Sequence, residues 1–252
     1  MLTSFNNNWT LVIPMANEEN DFYPFINELV AVLDYMKSGH AFLVIDEVSR
    51  DNTLELCRKL AGGDSRFTVI WAPENRNIVD AYLRGYREAL LNGYDIIIEM
   101  DAGRSHDPRA LPMFLRVLNE GNDCAFGSRF INGGSMVDSP FKRRLLSWGG
   151  TFLANILLGT KMNDMTSGYQ GFHASIVKAF IDYPFRSKAH FYQTELRYLL
   201  RRSKYMEVPI HYKAPSPRVS RHAVRNSFAA LFYYFGKRCI FQSEWIEGRR
   251  QS

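Results

Sequence analysis

The chain has 252 residues, of which 46% are hydrophobic and 23% are charged, and this composition excludes a disordered, collagen-like or coiled-coil protein. The net charge of +5 is unevenly spread: residues 129–161 carry a net charge of +4 and residues 213–238 one of +6, while the remainder is acidic. Such basic segments favour an anionic partner, for example a phosphorylated substrate, a lipid headgroup or a nucleic acid, although ordinary solvated charge gives the same pattern.

The cysteines and the amino-terminal sequence indicate the compartment. Cys57, Cys124 and Cys239 are odd in number, lie far apart and lack metal-ligand spacing, which is typical of reduced thiols in a cytosolic protein. The first ten residues contain no basic region followed by an apolar stretch, so no signal peptide is expected. We therefore expect a cytoplasmic protein.

Short apolar runs alternate with helical stretches along the first 130 residues or so. The apolar runs predict buried strands at 10–14, 41–46, 67–72, 95–101 and 123–129. The stretches between them predict helices at about 21–37, 52–62, 77–92 and 108–120. This alternation predicts an α/β protein with a doubly wound sheet, in which ligands bind beyond the carboxyl ends of the strands.

Two uncharged runs follow in the second half, at 145–160 and 226–236, and both are rich in aromatic residues and flanked by Lys or Arg. Each is shorter than the roughly 20 residues that a membrane-spanning helix needs. A helix lying in the plane of a membrane surface has this composition, and a core helix is the alternative. Both interpretations stay open for 145–160. For 224–241 we favour the membrane surface, because basic residues precede and follow the aromatic block.

Polar motifs follow the predicted strands in order and continue into the second half. They comprise Pro14, Asn17 and Glu18; Asp46, Glu47 and Ser49; Asp101 and His106; Gly127, Ser128 and Arg129; Asp164, Thr166, Ser167 and Gly168; Gln193 and Glu195; and Glu207 and Pro209. This series, over about residues 10–222, resembles glycosyltransferase family 2, specifically its polyprenyl-phosphate sugar synthases of the dolichyl-phosphate mannose synthase type.

The resemblance implies a GT-A fold, with a mostly parallel central sheet flanked by helices, over residues 1–222. The composition of the following segment adds a C-terminal amphipathic membrane-surface helix and tail over 223–252. The rest of the interpretation follows from the resemblance. It also implies inverting transfer of a hexose from a GDP- or UDP-sugar to a polyprenyl phosphate, by an enzyme peripherally associated with an anionic membrane surface. The alternatives are a family 2 enzyme with a soluble glycan acceptor and a non-catalytic sugar-nucleotide-binding scaffold. Nucleic acid is not an expected partner, because no nucleic-acid recognition motif is present.

The first two strand ends are expected to bind the nucleotide of the donor. A turn with amide and carboxylate side chains suits the hydrogen bonds of a base and a ribose, and the candidates are Pro14, Asn17, Glu18, Asp46 and Glu47. Two positions depart from the family pattern: Ala16 stands where a Tyr is usual, and Glu47-Val48 replaces an Asp-Gly pair.

The fourth strand end carries the largest departure. The family generally has Asp-x-Asp here, whose carboxylates hold Mg²⁺ or Mn²⁺ against the diphosphate. This chain keeps Asp101, but Gly103 replaces the second Asp and Arg104 follows it. We expect weaker metal dependence than in the family, with Asp101 still a candidate metal ligand and Arg104 placed to neutralise the diphosphate. Alternatively, Asp101, Glu99 or waters rebuild an ordinary metal site.

The remaining candidates come from the resemblance. Arg129, Arg143 and Ser147 match the residues at the acceptor phosphate, and a guanidinium binds phosphate bidentately. The catalytic candidates are Asp101, Arg129 and Asp164, the last for sugar hydroxyls.

Three further donor-binding candidates are Gln193, Arg218 and Arg221. The segment that contains Arg218 and Arg221 departs from the family pattern, because Pro215 stands where the family has Arg and Arg218 stands where it has Gly. Glu195 is either near the substrates or a buried ion-pair partner.

Overall fold

A seven-stranded sheet runs through the middle of the protein. The computed structural model describes residues 8–103, 105–136, 139–189, 191–213 and 221–247, with 221–223 described by their backbone only. The strands are β1 (Trp9–Pro14), β2 (His40–Ile45), β3 (Phe67–Trp71), β4 (Ile96–Glu99), β5 (Cys124–Ser128), β6 (Gln170–His173) and β7 (Tyr205–Pro209). The five strands predicted over the first half are confirmed to within one or two residues at each end.

Eight α-helices flank this sheet in the described part of the chain. They are α1 (Phe22–Met36), α2 (Thr53–Gly63), α3 (Ile78–Leu91), α4 (Leu111–Asn119), α5 (Phe141–Leu158), α6 (Ala174–Phe180), α7 (Phe191–Leu199) and α8 (Arg221–Cys239). The predicted helix over 108–120 begins with a 3₁₀ turn at Pro108–Ala110, where Asp107 accepts a hydrogen bond from the backbone N–H of Arg109. Continuous apolar strands need cover on both faces, and the two core clusters on either side of the sheet supply it.

The strand order is β3-β2-β1-β4-β6-β5-β7. All neighbours are parallel except β6, which runs antiparallel to both β4 and β5. The predicted mostly parallel sheet is therefore confirmed. The sequence did not anticipate β6, since Gln170–His173 is too short to show a strand pattern of its own.

The two uncharged runs lie in α5 and α8, which pack against each other. The inward face of α5 is small and partly polar, with Ser147, Thr151 and Ala154 buried. Its outward face is apolar: Leu145, Trp148, Phe152 and Ile156 are each more than half exposed, and the Trp148 and Phe152 rings stack 5.7 Å apart.

Helix α8 repeats this arrangement. Leu231 and Tyr234 are buried against the rest of the protein, whereas Phe228 and Phe232 are 47% and 56% exposed. Beyond the helix, Ile246 is again buried in the core. A boundary near residue 222 stays a proposal, since α8 begins at Arg221 and shares its core with the preceding residues. None of the helices in the described ranges is both long and apolar enough to cross a membrane.

Candidate active site

The end of β4 places a carboxylate at the edge of a cavity. Asp101 follows the strand, and its side chain is 40% exposed. The Tyr82 hydroxyl donates a hydrogen bond to Asp101 Oδ1, and the Asp101 backbone N–H donates to His106 Nδ1 at 3.0 Å. Burial lowers the pKa of His106, so the ring is neutral, and with Nδ1 accepting, its proton is assigned to Nε2. These contacts fix Asp101, which lines the cavity and whose Oδ2 lies 3.7 Å from His106 Nε2.

Glu99, two residues earlier, is a structural group. It is fully buried, accepts a hydrogen bond from the Tyr86 hydroxyl and accepts another from Gln170 Nε2 at 2.5 Å. Burial raises the pKa of Glu99 to about 8, although both hydrogen bonds act to lower it. The carboxyl group therefore lies inside the core, and the expectation that it might replace a metal ligand has no geometric support.

A buried ion pair follows β5. The Arg129 guanidinium donates to both carboxylate oxygens of Asp164, from Nε at 2.7 Å and from Nη2 at 2.8 Å, and the Arg129 backbone N–H donates to Oδ2 as well. Burial by itself would raise the pKa of Asp164, but the charge and hydrogen bonds of Arg129 outweigh it and lower the pKa to about 2. Asp164 is fully buried with both oxygens occupied, so this geometry favours a role in holding Arg129 over direct contact with a sugar.

Arg197 contacts the same region from α7, and no motif in the sequence predicts it. This side chain is fully buried on α7 and donates to the carbonyl oxygens of Gly127, Asp164 and Ser167 and to Gln170 Oε1. Burial lowers the pKa of the Arg197 guanidinium to about 10. The arginine ties β5, β6 and the 164–168 loop together, and its position in α7 carries no motif by which it could have been found.

Helix α5 brings two further predicted residues to Arg129. Arg143 and Ser147 lie four residues apart and so share one face of the helix. Ser147 Oγ accepts a weak hydrogen bond from Arg129 Nη1 at 3.5 Å. Arg143 Nε is buried and has no hydrogen-bond partner among the described residues. An unsatisfied buried donor is costly, which makes Arg143 a candidate for binding an anion.

The cavity that these residues line has a volume of about 250 Å³. Its inner wall is polar and includes Asp101, His106, Arg129, Arg143, Ser147 and Gln193. Its outer wall is apolar and includes Leu146 and Leu153 from α5 and Val224, Phe228 and Leu231 from α8. A charged head and an apolar body are the two chemical features that this cavity can accommodate in one ligand.

Hydrogen bonds join the loops after β1 and β2 beside the cavity. Asn17 has a positive φ of 59°, donates to Ser49 Oγ and the Val48 carbonyl, and accepts from the Arg50 N–H. The Glu18 backbone N–H donates to Thr53 Oγ1 at 2.9 Å. Burial, and then the carboxylates of Asp21, Asp101 and Asp51, raise the pKa of Glu18 to about 7. This second region is thus crowded with negative charge.

The predicted site residues separate into two groups. Asp101, Arg129, Arg143, Ser147 and Gln193 line one cavity. A second group lies on the two neighbouring loops, where Asp46 is buried, Glu47 is exposed, and Pro14 ends β1.

Several predicted residues lie elsewhere. Arg104 and Arg218 lie outside the described residues, as does the side chain of Arg221, whose backbone begins α8. Glu195 is buried away from the cavity wall and accepts hydrogen bonds from two backbone N–H groups and from the Tyr234 hydroxyl, so its partners are not another charged side chain.

Known proteins resemble this chain in sequence. The model of glycosyl transferase family 2 matches residues 10–181. An undecaprenyl-phosphate mannosyltransferase of Micrococcus luteus is 33% identical over 68% of this chain and 70% of its own length. A polyprenol monophosphomannose synthase of Mycolicibacterium smegmatis is 30% identical over 88% of this chain and 84% of its own length.

Solved structures agree at the level of the fold. The glucosyl-3-phosphoglycerate synthase of Mycobacterium tuberculosis, solved with Mn²⁺, uridine diphosphate and phosphoglyceric acid, superposes with a TM-score of 0.67 over 93% of this chain and 81% of that one, at 17% identity. This likeness and the mostly parallel sheet confirm the expected GT-A fold. With the family model covering most of the chain, the protein is a glycosyltransferase and belongs to glycosyl transferase family 2.

Proposed function

We propose that this glycosyltransferase moves a hexose from a GDP- or UDP-sugar to a polyprenyl phosphate at an anionic membrane surface. The observation that carries the proposal is the two-sided cavity, whose lining combines Arg129 and Arg143 with apolar side chains of α5 and α8. A lipid phosphate matches both walls of the cavity, because its anionic phosphate suits the arginines and its apolar chain suits the outer wall. The names of the two mannosyltransferase relatives support the same acceptor class.

The chemistry needs little proton transfer from the protein. An oxygen of the acceptor phosphate attacks the anomeric carbon, the bond from that carbon to the diphosphate breaks, and the nucleoside diphosphate leaves with inversion. The phosphate is ionised near neutral pH, so no strong general base is needed. Binding and orienting the phosphate is the task we assign to Arg129, Arg143 and Ser147, with Asp164 holding Arg129 in place.

The donor half is assigned to Asp101 and the β1 and β2 loops. Pro14, Asn17, Asp46 and Glu47 are proposed nucleotide contacts, and Gln193 a contact of the donor sugar. Arg104, Arg218 and Arg221 remain proposed diphosphate contacts. A bound Mg²⁺ or Mn²⁺ would neutralise charge on the departing diphosphate, and Asp101, which lines the cavity, is the carboxylate that would hold it.

The donor set fits such an ion only in part. The described residues contain no cluster of three or more His, Cys, Asp or Glu side chains arranged for a metal. Mg²⁺ nevertheless often binds through one or two carboxylates, with substrate phosphates and waters as its other ligands. A metal that depends on the diphosphate for binding is therefore compatible with this site.

Transfer assays with purified protein test the acceptor class. A set of GDP- and UDP-hexoses is combined with a short-chain polyprenyl phosphate or with soluble saccharides, and labelled product is measured in the organic and aqueous phases. We expect label in the organic phase, dependent on the lipid phosphate. Transfer to saccharides alone would replace the proposal with the soluble-acceptor alternative.

The exposed faces of α5 and α8 support membrane association. Trp148, Phe152, Phe228 and Phe232 are aromatic and about half exposed, and Lys142 and Arg144 are exposed at the start of α5. Aromatic side chains with nearby cations suit the headgroup region of an anionic membrane. Because Leu231, Tyr234 and Ile246 belong to the core, point substitutions test this better than truncation of α8.

Vesicle co-sedimentation tests the surface. Trp148→Ala/Phe152→Ala should weaken binding to anionic vesicles about tenfold or more, since each side chain loses part of the roughly 1.5–3 kcal/mol that full burial supplies. Tyr35→Ala, in which an exposed aromatic on α1 is removed, is the matched control. Binding should also weaken as salt rises. Equal binding of both variants at every salt concentration would contradict the assignment.

A further inference from the structure

Gly103 stands where the family pattern has its second metal-binding Asp, and this position is not open space. A Cβ atom built on Gly103 would lie 2.9 Å from Glu18 Oε2 and 3.8 Å from the Glu18 carboxyl carbon. Real Cβ atoms do not approach an oxygen so closely. The Glu18 carboxylate therefore occupies the space that a side chain at position 103 would take.

The backbone of Gly103 favours the same arrangement. Its φ is +73°, in the left-handed region that most residues with a side chain avoid. Glycine at this position thus combines two properties: it tolerates this backbone conformation, and it leaves room for a carboxylate that arrives from another strand end.

Glu18 is held in place by its own loop. Its backbone N–H donates to Thr53 Oγ1 at 2.9 Å, and the preceding residue, Asn17, is fixed to the β2–α2 loop through Ser49 and Val48. Within the described residues, by contrast, no side chain donates a hydrogen bond to the Glu18 carboxylate. The anchored backbone therefore presents a carboxylate whose oxygens accept no hydrogen bond from the described residues.

The cavity supplies a second observation, on the other side of Asp101. A Cβ atom built on Gly168 would lie 3.4 Å from Asp101 Oδ2 and 3.0 Å from Gln193 Nε2, so both side chains reach one small region. Gln193 is only 4% exposed, and its Oε1 has no hydrogen-bond partner among the described residues. This buried amide oxygen lacks a donor from the described residues and belongs to a side chain that lines the cavity beside Asp101, so it is suited to accept a hydrogen bond from a ligand there.

We propose that Glu18 supplies the second carboxylate of a divalent-metal site with Asp101, in place of the side chain missing at Gly103. Two carboxylates and the oxygens of a diphosphate form the hard ligand set that Mg²⁺ and Mn²⁺ bind. The site would thus bind metal through Glu18 in place of the family's second Asp. This differs from the weaker metal dependence expected from Gly103 and Arg104 alone. The inference rests on the proposed function only for the presence of a nucleoside diphosphate.

Mn²⁺ binding, measured directly, tests the assignment. The electron paramagnetic resonance signal of free Mn²⁺ is titrated with the protein in the presence of GDP or UDP, without acceptor or turnover. Glu18→Gln keeps the size of the side chain and removes its charge, and it should weaken Mn²⁺ binding about tenfold or more. Glu19→Gln is the matched control, because Glu19 is the adjacent carboxylate and bonds Asn52 instead.

A second variant relocates the carboxylate. Glu18→Ala/Gly103→Asp clears the space that the Glu18 side chain fills and restores the carboxylate of the family pattern, and Asp is among the residues that best tolerate a positive φ. It should recover Mn²⁺ binding to within a few-fold of the wild type, with melting temperatures compared to confirm that each variant folds.

Three results of the Mn²⁺ titration would overturn the proposal. They are unchanged Mn²⁺ binding in Glu18→Gln, an equal loss in Glu19→Gln, and a folded double variant that recovers nothing. Binding of the nucleotide without metal is measured in parallel, and an equal loss there in Glu18→Gln would also overturn it by making Glu18 a nucleotide contact. Since no acceptor is present, failure of the polyprenyl phosphate proposal leaves this measurement unaffected.

Discussion

The two sides of the cavity differ in how their charges are compensated. On the acceptor side, Arg129 is buried against Asp164, and Arg197 fastens the surrounding backbone. On the donor side, Glu18 and Asp101 lie near one another, and their mutual repulsion contributes to a Glu18 pKa of about 7. Removing one partner of a buried ion pair destabilises the fold because it leaves a buried charge uncompensated, whereas charges left unpaired in a pocket are available to a ligand. Substitutions on the acceptor side should therefore affect folding and binding separately, depending on the residue.

The largest expected effect is on stability. Asp164→Asn leaves the buried Arg129 charge without its partner, and we expect a loss of about 3–5 kcal/mol in the free energy of unfolding, measured with urea. Arg129→Met/Asp164→Asn should lose less, because it removes both charges. Asp182→Asn, which breaks the exposed pair with Arg87 at 3.0 Å, should cost less than about 1 kcal/mol. A loss of that small size in Asp164→Asn would contradict the contrast between the two kinds of charge.

Replacing Arg143 should affect acceptor binding and leave stability unchanged, unlike the replacement of Asp164. Its Nε lacks a partner in the described structure, so Arg143→Ala should leave stability unchanged and raise the KM for the acceptor about 10- to 150-fold, the equivalent of roughly 1.5–3 kcal/mol for a charged hydrogen bond. Arg58→Ala removes the same charge from an exposed position on α2 that does not line the cavity, and it is the control. An unchanged acceptor KM in Arg143→Ala would remove this residue from the site.

Acid should reduce the contribution of the Arg129–Asp164 pair to stability over a defined range of pH. Because Arg129 lowers the pKa of Asp164 from 3.8 to about 2, the pair contributes fully above pH 4 and loses its contribution as the pH falls toward 2. Between pH 5 and pH 3 this loss amounts to about 1 kcal/mol. It should be present in the wild type and absent in Arg129→Met/Asp164→Asn, as measured by urea unfolding. Parallel acid limbs in both proteins would show that Asp164 does not titrate as proposed.

The smallest effect is expected at Ser147. Its Oγ lies 3.5 Å from Arg129 Nη1, which is the long limit for a hydrogen bond. Ser147→Ala should change the acceptor KM only about two- to tenfold, as for a neutral hydrogen bond of roughly 0.5–1.5 kcal/mol. An effect as large as that of Arg143→Ala would mean that the hydroxyl contacts the acceptor phosphate directly.

Regular patterns explain why the first half of the fold could be predicted. Strands buried on both faces are continuous apolar runs, which made β1, β2, β4 and β5 recognisable, and β3 has the same β-branched composition although it is only partly buried. The carboxyl ends of β4 and β5 located Asp101 and Arg129. Arg197 could not be found in this way, because its role depends on carbonyl groups contributed by distant loops. The sequence pattern predicts Glu18 only as a nucleotide contact. Its contact with Gly103 could not be predicted, because the two residues are 85 positions apart in the chain and meet only through the packing of two loops.

The position of β6 has a consequence for synthesis of the protein. This strand separates β4 from β5 and is the neighbour of both, yet it follows both in the chain, with α5 in between. A growing chain must therefore hold two apolar strands with unpaired edges until Gln170–His173 leaves the ribosome. Such edges readily pair with another molecule. The hazard that this topology creates is aggregation during translation, more than instability of the finished protein. Slow translation of α5 would prolong the time for which the strand edges stay unpaired.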